Sequence, residues 1–148
     1  MQNKVVLDSC VFNKLFLEED DKEQAIQLIT EISKRNYQVI VPGLFLYEVL
    51  TIASVSNFPT QQAYELIELY QKANLKLVDL DKPCILKAIE MCETGHPKSG
   101  FPSFYDASYH ALAIANNCTF ITADNRHVSK TAQFGHVVLL KDWRSLFS

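Results

Sequence analysis

No stretch of this 148-residue sequence approaches the ~18 consecutive apolar residues of a membrane span. The start, MQNKVVLDSC, also lacks the basic region followed by a long apolar core that marks a secretory signal. The expectation is a soluble, cytoplasmic protein without a membrane partner. The four cysteines, Cys10, Cys84, Cys92 and Cys118, include no CxxC pair and no Cys/His cluster at zinc spacing, which argues against a zinc ribbon or a dithiol redox motif. Cys84 and Cys92 fall on one expected helix with a rise of roughly 12 Å between them, beyond disulfide reach, so reduced and mostly buried thiols are expected. A basic excess is missing as well. The formal net charge is −3, which argues at first against a nucleic-acid partner, because phosphate contacts are normally built from clustered Lys and Arg. Repeats, low-complexity tracts and linkers are absent, so a single domain spanning residues 1–148 is expected.

What is present is enough apolar residue, 48% of the chain, to bury a core of ordinary size. Apolar runs suited to buried strands alternate with segments of helical period, the pattern of an α/β protein whose central, mostly parallel sheet of about five strands is covered on both faces. The candidate strands are KVVL (4–7), QVIV (38–41), LKLVDL (75–80), TFIT (119–122) and HVVLL (136–140). A helix is expected to open near Asp20 and Asp21, to bury Ala25, Ile26, Leu28, Ile29 and Ile32, and to end near Asn36. A second follows Pro42 and Gly43 and carries Leu44, Leu46, Val49, Leu50 and Ile52; its sparsely charged continuation over 49–58 is either core or an oligomer face. Thr60 is a plausible cap for a helix reaching Ala73, and Pro83 suits the first turn of one reaching Cys92. Residues 94–103, with two glycines and two prolines, form the longest loop. Ser103 then caps a helix running to Asn117.

Asp8 directly follows the first strand and Asp124 follows TFITA, so both acids emerge at the carboxyl edge of the sheet, where open α/β folds bind ligands. Glu48 lies in the second turn of the helix after QVIV, and Asp106 in the first turn of the helix opening near Phe104; both can reach that edge. Any one of these acids can be merely a turn former or cap. Asp8, however, stands between the apolar runs VVL and CVF, and Glu48 sits inside FLYEVLTIA, where an unpaired carboxylate is costly. Four carboxylates on one edge repel unless a cation sits among them, and an all-oxygen set suits Mg²⁺ or Mn²⁺. A site of that kind activates water and holds a phosphodiester, so phosphodiester hydrolysis is the implied chemistry. With those four charges offset, basic and acidic residues elsewhere are nearly balanced, and the objection to a phosphate-bearing partner weakens.

VVLDSCVF, LFLYEVL, FPSFYDASYHALAIANNCTFITADNRH and VVLLKDW, in this order and over essentially the whole chain, resemble a PIN-domain protein of the VapC toxin type. The segment YDASYHALA…TFITADNR is the most specific part. The resemblance implies a three-layer α/β/α fold and an Mg²⁺- or Mn²⁺-dependent endoribonuclease whose acidic positions fall on Asp8, Glu48, Asp106 and Asp124. It implies secondary site positions at Ser9 and Thr122, a homodimer, and, for toxin members, an antitoxin partner that covers the active site. Cys10, where a small polar residue is common, and His127, where an apolar or acidic one is frequent, depart from the usual pattern.

Around these acids stand further candidates. His110, four residues after Asp106, can be a ligand or proton carrier, or it can pack against the sheet with one ring nitrogen bonded to a neighbour. Arg126, Lys130, Lys14 and Lys98 are the cations expected nearest the acids, with Arg126 favoured by position for holding RNA phosphates. Among Phe101, Phe104 and Tyr105, Tyr105 can stack an unpaired base beside Asp106, while at least two of the three rings are expected in the core. The alternative function is a PIN-fold RNA-binding or RNA-processing module without a toxin role. A haloacid-dehalogenase-type phosphatase is disfavoured because Asp8 is followed by Ser9 and Cys10 and not by a second Asp two residues on. A receiver domain is disfavoured because no acidic pair precedes the end of the first strand.

Overall fold

The computed structural model describes residues 3–148. In chain order its main elements are β1 (Lys4–Leu7), α1 (Ser9–Phe12), α2 (Lys22–Lys34), β2 (Gln38–Pro42), α3 (Leu44–Val55), α4 (Thr60–Ala73), β3 (Leu75–Val78), α5 (Lys82–Thr94), α6 (Phe104–Ala115), β4 (Thr119–Thr122), α7 (Asn125–Thr131) and β5 (Val137–Leu139). The strands form one sheet in the order β3-β2-β1-β4-β5, and every pairing is parallel. Val5 and Val6, consecutive on β1, point to opposite faces, and both are wholly buried, so helices cover the sheet on each side.

Strand order decides where a site forms. From β1 the chain moves outward through β2 to β3, then returns to the other side of β1 for β4 and β5. The carboxyl ends of β1 and β4 are therefore adjacent at the point where the winding reverses, the crevice in which open parallel sheets hold ligands. Val6 pairs with Phe120 and Leu7 with Ile121, so Asp8 and Thr122 leave the sheet side by side. Helix α6 lies across β1, β2 and β4, which brings its first turn to the same crevice.

Local chemistry explains the helix boundaries and corrects several expectations. Along α2, Ala25, Leu28, Ile29 and Ile32 are buried at helical spacing, whereas Ile26, one residue round from Ala25, turns outward and is exposed. Asp21 stands at the N-cap of α2, but its carboxylate makes no capping bond and pairs instead with Lys14 Nζ at 2.7 Å. The inward positions of α3 are Phe45, Val49 and Ala53; Leu44, Leu46, Leu50 and Ile52 are only half-buried. Thr60 is the first helical residue of α4 and not its cap, a place taken by Pro59 without a side-chain bond. Asp81 caps α5 through Cys84 N at 3.1 Å, with Pro83 in the first turn as expected. The third and fifth strands are shorter than their apolar runs, ending at Val78 and Leu139, because Asp79 and Leu80, and then Leu140, lie beyond the paired residues of the neighbouring strands.

Within 94–103, His96 and Gly100 bridge through reciprocal backbone hydrogen bonds of 2.9 Å. Gly95 has a positive φ of 56°, and a Cβ there would meet the Phe101 ring at 2.6 Å, so the loop is folded tightly on its own glycine. All four cysteines are free, with Cys84 buried and the others half-buried. No helix among the described residues is long and apolar enough to cross a membrane.

Candidate metal centre

Asp8 leaves β1 with its backbone N–H donating to Ile121 O at 3.0 Å, and its side chain caps the short helix α1 through Cys10 N at 3.4 Å. The capping role is real but does not exhaust the residue. Thr122, fully buried at the end of β4, donates from Oγ1 to Asp8 Oδ2 at 2.8 Å and accepts at the same oxygen from Asp124 N at 3.0 Å. One hydroxyl thus ties both acids of the crevice to the sheet. Asp124 caps α7, accepting from Arg126 N at 2.9 Å.

Glu48 arrives from α3. Its Oε1 accepts from Tyr109 Oη at 2.6 Å and from Ser9 Oγ at 3.1 Å. Ser9 Oγ also lies 3.4 Å from Asp8 Oδ1, so its one proton bonds one carboxylate or the other, with Glu48 the nearer. Asp106 sits in the first turn of α6, where its backbone N–H donates to the capping Ser103 Oγ at 3.1 Å.

The acids feel one another. Burial pushes the Asp8 carboxyl up to about 6, with the charges of Asp106 and Glu48 adding to it and the Thr122 hydrogen bond opposing it. Burial also raises Glu48, with Asp106 adding, against the hydrogen bonds from Tyr109 and Ser9. Asp106 is raised by burial and by Asp124, while the charges of Lys130 and Arg126 pull it back. Asp8 and Glu48 therefore sit beside negative charge, and Asp106 does so with partial relief from Lys130 and Arg126, the condition a cation relieves.

The donors at this centre are all hard oxygens, which fits Mg²⁺ or Mn²⁺ and not a soft metal. Among the described residues no group of three or more His, Cys, Asp or Glu side chains is gathered closely enough to hold a metal ion. Mg²⁺ does not require such a group, since it keeps several waters and takes only one or two carboxylates directly. Cys10 Sγ lies 3.8 Å from Thr122 Oγ1, but burial and the Asp8 charge drive its thiol well above the usual range, so it stays a protonated packing group.

Of the other candidates, His110 is turned away from the acids. Its Nε2 lies 2.6 Å from Gly135 O and its Nδ1 3.0 Å from His127 Nε2. Because a carbonyl only accepts, Nε2 of His110 carries the proton, Nδ1 accepts, and His127 Nε2 donates. His127 Nδ1 is then a buried lone pair without a hydrogen-bond partner among the described residues. Lys14, expected near phosphates, is buried and held by Glu19 at 3.3 Å and Asp21 at 2.7 Å, so it supports the fold and not a ligand. Arg126 is 89% exposed, 3.9 Å from Asp124 Oδ1, and free to reach outward. Phe101, Phe104 and Tyr105 are all exposed, at 62%, 45% and 66%, which overturns the expectation that two of them enter the core. The buried Pro102 and the Ser103 cap fix the backbone so that Ala107 and Ser108, in the next positions, face inward in their place.

Tyr109 is the site residue that sequence reasoning passed over. It is fully buried, three residues after Asp106 on α6. That spacing was the available signal, but an aromatic in an apolar helix reads as core until its hydroxyl is seen to meet Glu48.

A family model described as PIN domain matches residues 5–133, and the chain belongs to that family. Solved structures with the same fold include a chain of VapBC-1 from nontypeable Haemophilus influenzae, 16% identical, with a TM-score of 0.68 and coverage of 95% of this chain and 98% of that one. VapBC2 from Rickettsia felis, bound to a DNA fragment from its promoter, is 17% identical with a TM-score of 0.65, covering 92% and 96%. VapC20 of Mycobacterium tuberculosis, described as a sarcin–ricin loop cleaving toxin, is 14% identical with a TM-score of 0.61, covering 76% and 83%. No curated protein matches the chain at a significant level.

Proposed function

We propose that this chain is an Mg²⁺- or Mn²⁺-dependent endoribonuclease and the toxin component of a toxin–antitoxin pair, acting in the cytoplasm as a homodimer. The observation that carries it is the convergence of Asp8, Glu48, Asp106 and Asp124 at the β1/β4 reversal, where the protonation of three of them is shifted by burial and by one another. A divalent cation at that centre supplies charge stabilisation for a phosphodiester and lowers the pKa of water at neutral pH. Asp8, Asp106 and Asp124 provide the carboxylate oxygens that hold it. Glu48, held by Ser9 and Tyr109, is a further ligand or orients the attacking water, accepting its proton on a carboxylate whose basicity is raised. Arg126 and Lys130, whose charges already reach Asp106, are placed to hold backbone phosphates beside the acids. Tyr105, next in sequence to Asp106 and mostly exposed, offers a face for an unpaired base.

The toxin reading is supported by PIN-family membership and by the fold shared with chains of VapBC complexes and with VapC20, described as a sarcin–ricin loop cleaving toxin. For the homodimer, support comes from an open cavity of ≈ 720 Å³ lined by Leu46, Tyr47, Leu80, Ile85 and Phe104, among which Tyr47, Ile85 and Phe104 are exposed. Light scattering tests it, a monomer at micromolar concentration being the contrary result.

The decisive experiment incubates purified protein with single-stranded RNA. Cleavage should require Mg²⁺ or Mn²⁺, stop with chelator, and be lost in Asp8→Asn and in Asp106→Asn. Cleavage surviving both substitutions refutes the metal-nuclease assignment. Equal RNA binding by wild type and Asp8→Asn, with neither cutting, instead identifies an RNA-binding module, a reading made worth separating because no group of three ligating side chains is already gathered among the described residues.

A further inference from the structure

We propose that Tyr109 is a positioning residue for the metal centre: with Ser9 it occupies Oε1 of Glu48, so that Glu48 presents Oε2 alone to a divalent cation. This rests on the metal-nuclease assignment above and specifies how one of its ligands is made ready.

The two donors come from different elements, Tyr109 from α6 and Ser9 from α1, and both end on the same oxygen, at 2.6 Å and 3.1 Å. A carboxylate oxygen with two donors has spent its accepting capacity. Among the described residues no hydrogen bond reaches Oε2. The 2.6 Å phenol–carboxylate bond has the length of a charge-assisted O–H···O⁻ bond, a class roughly twice as strong as neutral ones. Tyr109 itself cannot drift, because its ring is fully buried and stacked on Phe120 with centroids 5.6 Å apart and planes 16° from parallel. Glu48, by contrast, is a flexible side chain on a half-exposed stretch of α3, and without the phenol its carboxylate is free to rotate, to bind a cation through both oxygens, or to swing away. The tyrosine thus converts a flexible acid into a fixed, single-oxygen ligand, and it does so from the same helix that delivers Asp106.

Phenylalanine removes only the hydroxyl and keeps the ring stack, so Tyr109→Phe is expected to fold. The test is calorimetric titration of Mn²⁺ alone, without RNA, into wild type, Tyr109→Phe, Glu48→Gln and the double variant. Loss of an outer partner of this kind weakens metal binding by about 10- to 100-fold. Tyr109→Phe should show that loss, and in the Glu48→Gln background the same substitution should change Mn²⁺ affinity no further. Ser9→Ala, which removes the longer of the two bonds, should weaken Mn²⁺ binding less than Tyr109→Phe does. Wild-type affinity in Tyr109→Phe overturns the proposal while leaving the metal site standing, and so does an equal loss in both backgrounds, which would mark Tyr109 as merely structural. Failure of the wild type to bind Mn²⁺ more tightly than Asp8→Asn overturns the metal assignment itself and this proposal with it.

Discussion

Asp8→Asn should stabilise the metal-free protein while abolishing its response to metal. In the folded state burial holds the Asp8 carboxyl at about 6, against an ordinary value of 3.8. Because the folded-state value is raised, the folded protein binds this proton more tightly than the unfolded chain does. The contribution of Asp8 to stability is most favourable below pH 4 and is lost as pH rises through 6. At neutral pH the ionised group therefore costs about 3 kcal/mol, at roughly 1.4 kcal/mol per tenfold in proton affinity. Asparagine removes the charge yet keeps an oxygen for the Thr122 hydroxyl, so a net gain of about 1–3 kcal/mol is expected, equivalent to a rise in melting temperature of roughly 3–10 °C for a chain of this length. Circular dichroism melts in chelator at pH 7.5 and pH 5 measure it, and the gap should narrow at pH 5, where wild-type Asp8 is protonated. Saturating Mn²⁺ should then reverse the order, since a ligand at roughly one thousand times its dissociation constant adds about 4.1 kcal/mol to the wild type alone. A variant less stable than wild type in chelator at pH 7.5, or a gap indifferent to pH, refutes the account of Asp8 as a buried charge awaiting a cation.

Three further outcomes follow from particular side chains. Tyr105→Ala should leave the melting temperature unchanged, because the ring is 66% exposed, and should weaken RNA binding about 10-fold or more in a filter-binding assay, the loss of one base stack; an unchanged affinity removes the stacking role. Replacing both partners of Lys14, as Glu19→Gln with Asp21→Asn, strands an ammonium whose burial is offset only by those two acids. Urea titration should show a loss of about 2 kcal/mol, discounted because both partners are partly exposed to water. Burial pushes His110 and His127 each down to about 4, so the unfolded chain takes these protons first and the stability they confer is lost as pH falls from 6.5 toward 4. In a variant combining Asp8→Asn, Glu48→Gln and Asp106→Asn, where the three raised carboxyls that oppose the histidines are gone, denaturation midpoints should fall steadily over that window, by up to about 3 kcal/mol per imidazole; a flat profile contradicts the neutral histidine pair.

Much of the centre was legible because its chemistry is anomalous in local sequence. A carboxylate between VVL and CVF, or inside FLYEVLTIA, has no comfortable solvated position, and Asp8 and Glu48 do prove to be buried and half-buried. Alternating apolar runs and helical segments likewise forecast a parallel sheet, because a strand covered on both faces must be apolar throughout. The misassignments fall where one-dimensional pattern cannot see direction. Phe101, Phe104 and Tyr105 look like core material, yet the Ser103 cap sets the start of α6 so that Ala107, Ser108, Tyr109 and His110 face inward. Lys14 looks like a free cation near the acids, and only the return of Glu19 and Asp21 reveals it as internal.

The sequence by itself determined the five strands, the long helices and the parallel sheet, and it singled out four candidate acids, since hydrophobic period and misplaced charge are properties of neighbours along the chain. Only the tertiary structure decided which hydroxyls serve those acids. The Thr122 bond to Asp8 spans 114 positions, and the Tyr109 bond to Glu48 spans 61. No local pattern encodes such pairings, because they exist only once the reversal between β1 and β4 has brought four distant segments to one edge of the sheet.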